Sequence, residues 1–225
     1  MSTGLLVIVT SIPLLLSLIA WGFVSSRARR RAQATALAQL GLLPCPEKKA
    51  WLEATVADIE NGARNRFEVR DPRRLPGEPA VYYYVKVSHN EHNRSPVTEE
   101  EILFPLKRPS VDPLILTVKP RALKRGLRSR WLATAGAIRW AGQPADLQRI
   151  DLPRDLRNSA VTGILGPAGS RLYDHIGSGV LRVLQGLGDA GGLTVRMRGA
   201  WCVVGAGRQI PLRVADVIAR LRPLL

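Results

Sequence analysis

The pattern of apolar and polar positions begins with one long apolar run. From Gly4 to Val24 there is no charge over 21 residues, and fifteen of them are strongly apolar. A helix of that length rises roughly 31 Å, which matches a hydrocarbon core of about 30 Å. Pro13 lies mid-span, where a bilayer tolerates a kink, and Trp21 fits the interfacial aromatic belt. Met1-Ser2-Thr3 lacks the basic residues that open a cleaved signal peptide. The pattern therefore predicts a retained transmembrane anchor over 1–24, with its span at 4–24. Arg27, Arg29, Arg30 and Arg31 follow directly. By the positive-inside rule they predict a single-pass cell membrane protein with its N-terminus outside and its C-terminal domain cytoplasmic. The lipid bilayer is then a partner through residues 4–24.

After the anchor, residues 25–44 read as a basic juxtamembrane helix and linker. The Ala-rich stretch from Ala32 continues as helix and stops at Gly41, and Pro44-Cys45-Pro46 forces extended chain. Residues 45–140 read as a β-rich subdomain of short apolar and β-branched runs bounded by Pro, Gly and Asn. The expected strands are Trp51–Ile59, Arg66–Arg70, Ala80–Val87, Glu101–Leu106 and Leu114–Val118. In the run Val81 to Val87, Tyr82, Tyr84 and Lys86 share the face expected to be half exposed. Segments 71–79 and 88–98 have loop composition.

Residues 141–225 read as an α/β subdomain. Gly166-Pro167 announces a helix over Ala168–Ile176, and Val180–Leu187 a second one. Leu193–Arg198 and Trp201–Val204 read as a hairpin around Gly199-Ala200. Val214, Val217, Ile218 and Leu221 fall at i, i+3, i+4 and i+7, an amphipathic helix. The expected fold class is thus α+β: one N-terminal transmembrane helix, then a cytoplasmic domain with a β-rich first part and an α-α-β-β-α C-terminal part.

Charge changes this picture most. The 225 residues carry 33 basic and 18 acidic side chains, a net +15. The excess is uneven: net −2 over 45–104, +8 over 105–139 and +5 over 140–225. Within 119–131, taken as a helix, Arg121, Lys124, Arg125 and Arg128 fall in one arc of about 100°, opposite Leu123, Leu127 and Trp131. Such a face suits anionic lipids or an acidic protein partner. Gly126 weakens the helix by about 1 kcal/mol, so a strand–turn–strand rim competes with it.

Candidate chemistry is thin. Two Cys and three His exclude a disulfide scaffold and most multi-histidine metal sites. Gly186-Leu187-Gly188-Asp189-Ala190-Gly191 matches a dinucleotide-binding spacing, but helix precedes it and strand follows, the reverse of the required order. His89-Asn90-Glu91-His92 has no third ligand nearby and sits in turn composition. Asp174-His175 has no nucleophile elbow beside it. Cys45 and Cys202 read as thiols. No catalytic, cofactor or metal residues are expected, and no motif is specific enough to name a family. The candidate binding residues are Arg27, Arg29, Arg30, Arg31, Arg121, Lys124, Arg125 and Arg128. The reading is a non-catalytic interaction or scaffold module with a basic surface. Nucleic-acid binding at the membrane and an enzyme with an unrecognised site are the alternatives, and no nucleic-acid-binding signature appears.

Overall fold

In the computed structural model the described residues are 28, 31–60, 67–77, 79–89, 96–118, 147–153, 160–187, 192–206 and 212–224. The chain separates into two units, Met1–Gly41 and Leu42–Leu225. In the first unit residues 31–39 form helix α1. Gly41 ends it with φ +78°, and its N–H donates to the carbonyl of Ala38 at 2.9 Å. Glycine adopts that left-handed conformation without a steric cost, so the stop expected at Gly41 has its local cause.

The second unit is built on one antiparallel sheet. Its strands are β1 (Leu43–Pro44), β2 (Phe67–Leu75), β3 (Val81–Ser88), β4 (Val97–Val118), β5 (Leu147–Arg149), β6 (Val161–Pro167) and β7 (Leu193–Ala206). The order is β1-β2-β3-β4-β6-β5, and β7 pairs with β4 off that path. Helices α2 (Lys49–Ile59), α3 (Leu172–His175), α4 (Ser178–Gly186) and α5 (Val214–Leu221) complete the unit.

The expected fold class is corrected. β4 is one 22-residue strand that pairs with β3 through its first half, with β6 through its last residues, and with β7 along both. Strands from the middle and the end of the chain therefore share one sheet, in place of a β-rich part followed by an α-α-β-β-α part. Among the described residues no helix is long and apolar enough to cross a membrane. Helices α2, α4 and α5 have 11, 9 and 8 residues, against the roughly 20 that a span requires. The expected span, 4–24, lies outside the described residues. The single-pass transmembrane architecture and the cell membrane placement with a cytoplasmic domain are corrected on that finding.

Segment 49–59 is helix rather than strand. Leu52, Val56 and Ile59 are buried at i, i+4 and i+7, the helical period, and pack on Val69, Tyr82, Tyr84, Leu103 and Val203. The same packing buries the β3 face expected to be half exposed: Tyr82, Tyr84 and Lys86 lie under α2. The opposite face, with Tyr83, Ile102, Phe104 and Val204, is buried as well. The Leu212 N–H donates to Glu100 Oε2 at 2.9 Å and brings the start of α5 to that face. α5 buries Val214, Val217, Ile218 and Leu221, the set its spacing puts on one side.

Three further expectations change. Glu101–Leu106 and Leu114–Val118 belong to the same strand, and the prolines between them mark where its ladder to β7 shifts register, Pro105/Ser110 and Ser110/Leu114. A proline lacks the ladder N–H, so it fits a bulged stretch. Gly199-Ala200 makes no hairpin. Gly199, with φ +54°, pairs with Ser110 inside that irregular stretch, and β7 runs on through it. Pro167 closes β6 instead of opening a helix, and Ser170 Oγ donates to its carbonyl at 2.7 Å in the turn that follows.

Candidate functional site: a buried charge cluster under helix α2

The most concentrated chemistry among the described residues is a group of charges inside the unit. Glu60, Lys86, Glu101 and Arg196 are 6%, 4%, 1% and 2% exposed. Four elements supply them. Glu60 caps the C-terminus of α2, Lys86 lies on β3, Glu101 on β4 and Arg196 on β7. Arg196 bridges two carboxylates, donating from Nη1 to Glu60 Oε1 and from Nη2 to Glu101 Oε1. Lys86 Nζ donates to the same Glu60 oxygen. Tyr84 donates its hydroxyl to Glu101 Oε2 at 2.6 Å. Lys86 Nζ also lies 5.1 Å from the centroid of the Phe67 ring.

The pairing follows from the cost of burial. An isolated buried charge costs several kcal/mol, recovered only by opposite charge and good hydrogen bonds. Here two cations meet two carboxylates. Burial alone would raise the Glu101 carboxyl, but Arg196 and Lys86 outweigh it and hold the group below the usual range. Burial alone would lower Arg196, but Glu101 and Glu60 hold it above its ordinary value. Burial, and then Glu101, push the Tyr84 phenol well above its ordinary value, so it stays a neutral donor.

Local features make room for the group. A Cβ on Gly205 would stand 3.3 Å from Glu101 Cγ and 3.5 Å from Arg196 Nη2, tighter than ordinary contact on the Glu101 side. Arg198 Nη1 donates to the carbonyl of Asp58 at 2.8 Å, a cation on the last turn of α2 where the helix dipole favours one. At the other end of the helix, Glu53 Oε1 accepts the Val69 N–H at 3.0 Å and Lys49 pairs with Glu68 at 3.0 Å. The charges are committed to one another and to the seating of α2.

Of the sequence candidates, Arg31 is exposed on α1. Arg27, Arg29, Arg30, Arg121, Lys124, Arg125 and Arg128 lie outside the described residues. In the glycine motif, Gly186 ends α4 and β7 starts at Leu193, so helix does come before strand there. Positions 188–191 lie outside the described residues. His89 is exposed, and 90–95 lie outside the described residues. His175 Nδ1 stands 3.6 Å from Asp112 Oδ2, with its side chain 5% exposed, and its Nε2 has no hydrogen-bond partner among the described residues. Cys45 and Cys202 are buried free thiols. Burial, and then Glu47, push the Cys45 thiol up, and burial pushes Cys202 well up, which disfavours the nucleophilic thiolate at both.

The cluster had a partial signature in the sequence. Lys86 and Arg196 each interrupt an apolar strand at an inward position, between Val85 and Val87 and between Val195 and Met197. Comparison with family models, with curated proteins and with solved structures gives no match.

Proposed function

We propose that the chain is a non-catalytic interaction module that holds an acidic protein partner on an arginine-rich surface. The observation that carries this reading is the balance inside the unit. The deeply buried cations, Lys86 and Arg196, are matched by Glu60 and Glu101. Setting those two pairs aside leaves the excess at +15, so the surplus charge is not counter-charge for Glu60 and Glu101. Surplus charge that does not neutralise a core is available for steering and holding a partner of opposite sign. The strongest local excess, +8 over 105–139, contains Arg121, Lys124, Arg125 and Arg128.

The test is retention of the purified full chain on immobilised polyglutamate and on duplex DNA, across a salt gradient. Retention on polyglutamate that weakens with salt and falls when Arg121, Lys124, Arg125 and Arg128 become Gln supports the reading. Retention on duplex DNA alone favours the nucleic-acid alternative and contradicts it. Retention on neither contradicts it also.

A further inference from the structure

Glu99 brings a third carboxylate to the buried cluster. It pairs with Lys86 across the β3–β4 register, and two residues along β4 it shares a face with Glu101. Its side chain is half-buried. Among the described residues, three carboxylates (Glu60, Glu99, Glu101) then face two cations (Lys86, Arg196). Lys86 is engaged by Glu60, and Arg196 by Glu60 and Glu101. An ionised Glu99 therefore competes with Glu60 for Lys86, its cross-strand neighbour. It also repels both other carboxylates through an interior that screens poorly. Of these five groups, Glu60 is the one carried by α2, so the competition acts on the hold of that helix.

We propose that Glu99 is a proton-operated latch on helix α2. With Glu99 protonated, Glu60 keeps both cations and α2 is clamped to β3 and β7. With Glu99 ionised, Lys86 is shared and the clamp slackens. Burial, and then Glu101, hold the Glu99 carboxyl above the usual range, while Lys86 and Arg196 pull the other way and Glu60 adds to the rise. Tyr84 faces the group as a neutral donor to Glu101. Because the folded state binds this proton more tightly than the unfolded chain, the stabilisation is complete below the ordinary glutamate value. It is lost as pH rises through the raised folded value.

The experiment uses the full chain and Glu99→Gln, whose neutral amide stands in for the protonated acid. Amide exchange over 49–59 and the fluorescence of Trp51, whose ring packs 5.2 Å from that of Trp201 on β7, report the seating of α2. Measurements run between about pH 3.5, below the ordinary glutamate value of about 4.3, and about pH 8, comparing the two proteins at each pH so that intrinsic exchange and other titrating groups cancel. The expected result is equal exchange at the acid end and a growing excess in the parent toward the alkaline end, with the thermal midpoint of the parent falling while the variant stays level. Parallel profiles overturn the proposal. Should the variant fail to fold, a carbon-13 titration of the Glu99 carboxyl in the parent decides. A midpoint above about 4.3, the ordinary glutamate value, with amide exchange over 49–59 rising through the same midpoint, supports the latch, and a midpoint at or below that value, or exchange that does not follow it, overturns it.

Discussion

Arg196 lies between Val195 and Met197 in a strand where all three are buried. A long cation in that position survives because Glu60 and Glu101, 136 and 95 residues away along the chain, arrive at its two terminal nitrogens. Replacing Arg196 by Met leaves Glu101 with Tyr84 and Glu60 with Lys86 alone, so part of the buried charge loses its partner. Breaking a buried pair in this way costs roughly 3–5 kcal/mol, and denaturant unfolding of Arg196→Met should show a loss of that order. Gly205→Ala tests the same site from the other side. The added Cβ presses on Glu101 at 3.3 Å, and an overpacked core typically loses about 1–3 kcal/mol. A neutral Gly205→Ala would show that the Glu101 side chain gives way by the few tenths of an ångström required.

At the scale of elements, α2 is where sequence and structure part most clearly. Trp51 to Ile59 reads as a strand because its β-branched and aromatic residues resemble one. The burial of Leu52, Val56 and Ile59 shows that the helical period decides instead. Ala54 is exposed in the middle of this helix. Ala54→Pro should therefore cost about 3 kcal/mol or more, by removing a helix hydrogen bond and clashing with the preceding turn. Far-ultraviolet circular dichroism should lose helix signal in step. An unchanged signal and stability would contradict a helix here. The β3 strand was legible because every residue from Val81 to Val87 except Lys86 is β-branched or aromatic. The union of 101–106 and 114–118 into one strand was not, since Pro109 and Pro113 lie between the two runs and a proline lacks the ladder N–H. Their tolerance depends on where the ladder slips, which only pairing with β7 defines.

For the whole molecule, local periodicity told the α5 face and the helix stop at Gly41, both set by neighbouring residues. The sheet order and the charge cluster join residues far apart. No short-range pattern encodes them beyond the inward charges Lys86 and Arg196. The distribution of charge follows the same division: among the described residues the buried cations Lys86 and Arg196 are matched by Glu60 and Glu101, and with those pairs set aside the chain still carries +15.

The Glu60–Arg196 contact holds helix α2 to strand β7. A double-mutant cycle with Glu60→Gln, Arg196→Met and the pair, read by denaturant unfolding of the full chain, tests it most directly. Residues that share a buried network show coupling of roughly 0.5–3 kcal/mol. The prediction is that each single change destabilises strongly and the double change costs less than their sum by an amount in that range. Additive costs would contradict the account, because they would show that Glu60 and Arg196 act on stability independently.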